Sequence, residues 1–427
     1  MRRLLLILLV LIMLPAVWCD TLNGQQRFPM PEFESGYEYP EHVPPPSPRG
    51  LAMEYIDVVL LVAAMSLAAW FALRRRSRNG IIWLGVFSVI WFGFVREGCV
   101  CSIGSLQNVS LALFGTGYTI PLVVLLFFVL PLLFTLAFGR VFCSAVCPLG
   151  ALQELTSVWP VKVPQRVESA LSVIPYLYLA LALLFAATGS TFIICRYDPY
   201  VGFFRLSAPF SMLIFGFLLL AAGLFIYRPY CRFLCPYGVI LNWLSRFSGK
   251  HLTITPAECI DCRLCGDACP TNAILPSNSE EKLQERRKGR RLFTLSLALI
   301  PILMVAGYFI VGSSYYHLAS VNNDVSLARE IRAWQEHQVP ATSREAEAFM
   351  SSGRTYEDLF TSEARLTGKF RRGSGYVGLF LGLSLGIALL STSLRERRTE
   401  YLPHRGRCVS CARCFEYCPV KAENRKV

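Results

Sequence analysis

Apolar residues along this chain gather into blocks of membrane-spanning length, separated by shorter polar segments that carry most of the charge. Seven blocks stand near residues 55–73, 81–95, 118–138, 172–194, 208–227, 292–312 and 376–393. A helix needs about 20 residues to cross a bilayer core. Each block meets or approaches that length, and the short one at 81–95 extends into Arg96–Cys101. Ahead of them, Arg2 and Arg3 precede an apolar run from Leu4 to Leu14 and then Pro15 and Ala16. That layout predicts a signal peptide or anchor over 1–19. Trp18 stands where a lipoprotein signal has a small residue, so Cys19 is not read as a lipid site. Residues 20–52 are polar and proline-rich (Pro44, Pro45, Pro46 and Pro48) and predict an extended exported segment.

Basic residues then set the sidedness. Arg74, Arg75, Arg76 and Arg78 follow the first block and place that loop in the cytoplasm. Alternation puts 139–171, 228–291 and 394–427 on the same side, with Arg140, Lys162, Arg166, the run Arg286–Arg291, Arg395, Arg397 and Arg398. Segments 96–117, 195–207 and 313–375 fall outside. The last is long and of mixed charge (Arg329, Glu330, Arg332, Glu336, Arg344, Glu345, Glu347), which predicts a solvated helical cap or a docking surface.

Composition agrees with a bilayer protein: 54% of the residues are apolar and only 17% charged. The net charge of +13 belongs to the loop ends, so it is topological and gives no reason to invoke nucleic acid. Five histidines (His42, His251, His317, His337, His404) all lie outside the apolar blocks, and no C-x-x-C-H is present. Membrane-embedded bis-His haem and attached c-type haem are both disfavoured. No G-x-S-x-G, phosphate loop or nucleophile–base set is found, which speaks against hydrolase or transferase chemistry.

The 16 cysteines carry the chemistry. Cys259-x2-Cys262-x2-Cys265-x3-Cys269-Pro270 is a bacterial ferredoxin run, and Cys408-x2-Cys411-x2-Cys414-x3-Cys418-Pro419 repeats it. In two-cluster ferredoxins the fourth cysteine of each run ligates the other cluster. The expected ligand sets are therefore Cys259, Cys262, Cys265 and Cys418 for one [4Fe–4S] cluster, and Cys408, Cys411, Cys414 and Cys269 for the other. Zinc also takes paired C-x2-C, but the eight-cysteine pattern with both trailing prolines disfavours it. About 140 residues and two apolar blocks divide the runs. Shared ligation requires both runs on one side, hence an even number of spans between them, and the sequence supplies two.

A second repeat lies within the apolar region. Arg140-Val-Phe-Cys143-x3-Cys147-Pro148-Leu-Gly150 recurs 88 residues later as Arg228-Pro-Tyr-Cys231-x3-Cys235-Pro236-Tyr-Gly238. An arginine three residues before a thiol favours the thiolate. Cys143, Cys147, Cys231 and Cys235 are read as a further metal centre or as a dithiol/disulfide pair, against the alternative of small buried apolar residues. Across the membrane stand Cys99, Cys101 and Cys195. The stretch Cys101-Ser-Ile-Gly104-Ser-Leu-Gln107 echoes Cys147-Pro-Leu-Gly150-Ala-Leu-Gln153. A disulfide between Cys195 and one of the pair, a metal or cluster site, and inert thiols are the three readings of this outer set. Inner and outer sets together would divide a bilayer core of about 30 Å into shorter electron-transfer steps.

These motifs resemble the NapH/NosR-type membrane iron–sulfur proteins, a group related to the CcoG/RdxA and YccM-like polyferredoxins. The likeness covers about residues 80–275 plus the C-terminal run. It implies a respiratory electron carrier of the inner membrane that links quinol or a cytoplasmic donor to an exported reductase or other acceptor. The CcoG likeness implies instead a copper or metal reductase or an oxidase-assembly factor, with the outer thiols as soft copper ligands. A redox-sensing regulatory subunit is a third possibility. NosR-like proteins carry an exported flavin domain; here no S-G-A-[ST] motif is found, so bound FMN is not expected.

The expected architecture is an all-α polytopic membrane protein with a small α+β two-cluster ferredoxin-like unit split between 250–280 and 404–427. In chain order it has a signal peptide or anchor (1–19), an exported segment (20–52), a five-span core (53–250) and the first ferredoxin half (251–291). A span (292–312), an exported loop or cap (313–375), a second span (376–393) and the cytoplasmic second half (394–427) follow.

Overall fold

A computed structural model describes residues 50–98, 101–115, 117–205, 209–254, 260, 262–275, 286–336, 343–393 and 401–419. The expected signal segment, most of the proline-rich stretch, Cys99 and Cys259 lie outside the described residues.

The chain is mostly helical, because the apolar blocks leave their backbone groups no partners but their own. The first helices are α1 (Leu51–Ala69) and α2 (Arg78–Ser88), each continued by a π-helical turn, Trp70–Arg74 and Val89–Val95. Next come α3 (Ser102–Phe114), α4 (Leu122–Phe138), α5 (Pro148–Thr156), α6 (Gln165–Leu171) and α7 (Ile174–Ala187). Short α8 (Ile193–Tyr197) and α9 (Pro199–Phe204) lead into α10 (Phe210–Phe225), α11 (Pro229–Phe233) and α12 (Pro236–Ser245).

All seven apolar blocks form helices. Five helical stretches have span length and hydropathy: Leu51–Arg74, Arg78–Val95, Val167–Ala187, Arg291–Gly312 and Tyr356–Ser391. The expected blocks at 118–138 and 208–227 appear as the shorter apolar helices Leu122–Phe138 and Phe210–Phe225. The expected block at 172–194 stops at Ala187, and Cys195 sits in the separate helix α8.

Inside the bundle a buried ion pair joins Arg96 to Asp57 at 3.0 Å. Trp91 Nε1 donates to Asp57 Oδ1 at 2.9 Å, and the Arg96 guanidinium lies 3.9 Å from the centre of the Phe127 ring. Charge in an apolar bundle persists when it is paired and hydrogen-bonded in this way.

After a small helix α13 (Leu264–Ala268) and a strand β1 (Ile274–Leu275), the chain enters a long hairpin: α14 (Arg286–Gly312) and α18 (Tyr356–Ser393). Gly307 and Gly378 meet backbone to backbone, so a side chain at either position would collide with the other's carbonyl. Such small-residue contacts are how apolar helices approach closely in lipid. The hairpin docks on the core through Phe370, which is fully buried and packs on Phe185 of α7, and through Phe380, which meets Trp243 of α12.

Between its arms, α15 (Tyr315–Ala319), α16 (Asn323–Gln335) and α17 (Arg344–Ser351) form a helical cap. The cap has its own small core of Ala328, Ile331, Ala346, Phe349 and Leu359. The mixed charge of its sequence is spent internally: Arg332 pairs with Glu363 at 2.7 Å, and the Glu330 carboxylate accepts from both the backbone N–H and the hydroxyl of Ser343. The chain then returns in β2 (Leu402–Pro403) and α19 (Arg413–Glu416). Strands β1 and β2 pair antiparallel, Ile274 with Pro403 and Leu275 with Leu402, so the two cysteine-run regions join into one unit.

Candidate iron–sulfur centres

The two ferredoxin loops fold alike. In each, the residue after the second cysteine turns left-handed, Arg263 at φ 61° and Ala412 at φ 57°, and starts a short helix that bears the third cysteine. Non-glycine residues adopt this conformation only when their surroundings hold it. Cys265, Cys408 and Cys414 share a small hydrophobic cluster with Leu252, Ile254 and Ile274. Cys269, from the first run, comes among Cys408, Cys411 and Cys414 of the second. Burial pushes the Cys408 thiol up to about 12, with Cys411 and Cys269 adding to the rise. The Cys269 sulfur accepts from Ala273 N–H at 3.3 Å. Of the remaining four cysteines, Cys262 is exposed, Cys265 and Cys418 are half-buried, and Cys259 is outside the described residues.

The C-x3-C-P repeats meet face to face. Cys147 and Cys235 each occupy the residue before a helix whose first position is proline, Pro148 of α5 and Pro236 of α12. Proline is pre-set for that position. The arginines of the repeat are exchanged between its arms: Arg228 donates to the carbonyls of Cys143 and Ser144, while Arg140 reaches the face of Gly238. Arg140 also donates to the Cys143 sulfur at 3.8 Å, and Gln153 to the Cys231 sulfur at 3.3 Å. Burial pushes the Cys231 thiol up to about 11, although Arg228 and Arg140 pull it down. Burial and the neighbouring thiols raise Cys147 and Cys235 as well. Two buried and two half-buried cysteines, with cationic and amide donors beside them, suit a cationic centre that takes them as thiolates.

Among the described residues, no three His, Cys, Asp or Glu side chains converge tightly enough to hold a single metal ion. An iron–sulfur cluster spreads its thiolates over separate irons.

One carboxylate ties these parts together. Glu154 of α5 is buried and pairs with Arg78, with Arg228 at 3.1 Å and with Arg413 at 3.1 Å. Burial alone would raise its pKa; Arg413, Arg78 and Arg228 outweigh burial and hold the carboxyl well below the usual range. Arg413 lies inside the second ferredoxin run and Arg228 inside the second C-x3-C-P motif. Arg78 also donates to the Cys411 carbonyl at 2.9 Å, and Arg140 to the Gly406 carbonyl at 3.0 Å. Residue spacing shows no sign of this hub. Its trace is one charged residue, Glu154, in the otherwise uncharged stretch that follows Cys147.

The outer set is brought close to the inner one. Cys101 precedes α3, its sulfur accepting from Gly104 N–H at 3.2 Å, and a side-chain carbon at Gly104 would lie 3.3 Å from the Cys195 sulfur and 3.4 Å from that of Cys101. Cys101 and Cys195 stand here as free cysteines. Cys101 and Cys147 line one internal cavity of about 30 Å³.

Comparison with known proteins follows the same division. A family model described as a 4Fe-4S binding domain matches twice, over residues 120–166 and 207–255, once on each arm of the C-x3-C-P repeat. A second 4Fe-4S binding domain model matches residues 252–275, the first ferredoxin loop. Protein NirI of Paracoccus denitrificans is 31% identical over 53% of this chain and 35% of its own length. The putative electron transport protein YccM of Escherichia coli is 31% identical over 32% of this chain and 43% of its own. Regulatory protein NosR of Pseudomonas aeruginosa is 29% identical over 49% of this chain and 31% of its own. The chain thus spans about a third of the length of NirI and of NosR. No solved structure matches it. With apolar helices of span length, duplicated cysteine motifs and these matches, the chain is a helical protein with 4Fe–4S binding domains that is similar, over part of its length, to NosR, NirI and YccM.

Proposed function

We propose that the chain is a membrane electron carrier in which electrons pass between a two-cluster ferredoxin unit and an adjoining inner four-cysteine centre. The observation that carries this reading is Arg140. One guanidinium contacts both the Cys143 sulfur and the Gly406 carbonyl, two residues before Cys408. The inner thiols and the second ferredoxin loop are therefore neighbours, held by the same side chain.

In this reading Cys259, Cys262, Cys265 and Cys418 hold one [4Fe–4S] cluster, and Cys408, Cys411, Cys414 and Cys269 the other. Cys143, Cys147, Cys231 and Cys235 hold a third centre. When bound, such a cluster supplies one-electron transfer at a potential set by hydrogen bonds to its sulfurs and by exposure. The chain's own residues set those conditions. Gln153, Arg140 and Gly238 donate to the inner sulfurs, Pro148 and Pro236 fix the helix starts, and the Glu154 hub keeps the ferredoxin unit seated.

The seven apolar helices are proposed as seven spans of the inner membrane, after a signal segment at 1–19. The ferredoxin unit then lies in the cytoplasm with the basic loops, and the 313–375 cap lies outside. A quinol or cytoplasmic donor and an exported acceptor of a respiratory chain are the partners this arrangement serves. The name of NosR also supports a regulatory reading, in which the same centres sense redox state.

Iron and acid-labile sulfide per purified chain test the proposal. Three cubane clusters predict at least about 12 irons, falling by about four in Cys143→Ala/Cys231→Ala. A content of about eight that the double variant leaves unchanged would remove the inner centre. Reduction by added quinol with onward reoxidation by an exported protein favours the conduit; reduction without onward transfer favours the sensor.

A further inference from the structure

The outer cysteines reproduce the inner half-site residue for residue. Cys147 and Cys101 each precede a buried helix, with glycine three positions on (Gly150, Gly104) and glutamine six positions on (Gln153, Gln107). Each glutamine crosses to a short helix whose third residue is a cysteine. Gln153 Oε1 accepts from Tyr230 N–H, just before Cys231, at 2.9 Å; Gln107 Oε1 accepts from Ile194 N–H, just before Cys195, at 3.1 Å. Both cysteines continue with an arginine and an aromatic residue, Arg232-Phe233 and Arg196-Tyr197. In the inner set Cys235-Pro236 follows; in the outer set Asp198-Pro199 follows, one residue sooner.

One difference points to a missing partner. The Gln153 amide donates to the Cys231 sulfur, whereas Gln107 Nε2, on a fully buried side chain, finds no hydrogen-bond partner among the described residues. Its orientation is fixed, because its oxygen is committed to Ile194 N–H. An amide donor held dry in this way is costly to fold unless something accepts from it.

Asp198 is buried, with Oδ1 accepting from Tyr200 N–H at 2.9 Å and Oδ2 from the Tyr230 hydroxyl at 3.1 Å. Tyr230 joins the two sets directly, since it adjoins Cys231 and donates to Asp198.

We propose that Cys101, Cys195 and Asp198 ligate a further embedded iron–sulfur centre, with Gln107 donating to its sulfur as Gln153 does in the inner set. This rests on reading the inner set as an iron–sulfur site. Thiolates suit iron–sulfur chemistry, and Asp198 stands where the inner set has Cys235. Gln107 is a positioning residue here, tuning the centre through the sulfur it faces.

The test uses the full chain purified in detergent, with iron and sulfide assays and redox-poised EPR. The wild type should hold about four irons more than the ferredoxin unit and inner centre account for. Cys195→Ser and, separately, Asp198→Asn should each remove one EPR signal while leaving the signal lost in Cys143→Ala/Cys231→Ala. Gln107→Leu should keep the iron and move that one signal to a more negative midpoint. Iron content and EPR unchanged in both Cys195→Ser and Asp198→Asn would overturn the proposal. Alkylation of Cys101 and Cys195 only after reductant would do so too, by showing a disulfide. Loss of signal in the outer variants but none in Cys143→Ala/Cys231→Ala would instead sink the inner centre and leave this one standing.

Discussion

At the scale of single residues, Glu154 decides how the ferredoxin unit meets the membrane core. Three guanidiniums face one buried carboxylate, so removing its charge leaves cations without compensation. Glu154→Gln should destabilise the fold by about 3–5 kcal/mol, read as a lower thermal midpoint of the purified protein and loss of ferredoxin-type signals. The pH dependence has a definite sign. A carboxyl whose folded pKa lies below its unfolded value of about 4.3 contributes fully above that value and is lost as pH falls through the folded one. The gap in midpoint between wild type and Glu154→Gln should therefore stay constant from about pH 8 to pH 5 and shrink only in stronger acid. Gln153 tests a different property. Gln153→Leu removes a donor to the Cys231 sulfur, so the inner centre should keep its iron while its midpoint shifts negative.

At the scale of elements, the hairpin of α14 and α18 delivers the second ferredoxin half to the first. Gly378→Leu would push the arms apart where backbone now meets backbone, displacing α18 from Phe185 and Trp243. The proposed sharing of Cys269 and Cys418 between clusters predicts that both ferredoxin signals fall together, with the inner centre retained. Loss of only one cluster would contradict shared ligation.

Elements were also where the sequence was most legible. The apolar blocks marked every long helix to within about two turns, apart from α18, whose polar first half belongs to the cap. Cysteine spacing marked both repeats. The Glu154 hub was not legible, because its arginines come from positions 78, 228 and 413 and only folding brings them together. Asp198 was missed because its proline follows one residue earlier than the inner motif leads one to expect, which hides the likeness to Cys235-Pro236.

At the scale of the whole molecule, the proposed two spans between the ferredoxin halves would place the cap across the membrane from them. Cysteine introduced at exposed Ser351 should react with an impermeant maleimide from one side of intact vesicles, and cysteine at exposed Lys162 from the other. Labelling of both from the same side would refute the span arrangement. The central claim is electron conduction from a ferredoxin unit into an inner cysteine centre. It is tested most directly by redox-poised EPR of the full chain in membranes, before and after quinol. The account predicts ferredoxin-type signals plus a distinct signal that vanishes in Cys143→Ala/Cys231→Ala, all of them responsive to quinol. Ferredoxin signals alone, unaltered by that double variant and indifferent to quinol, would contradict it.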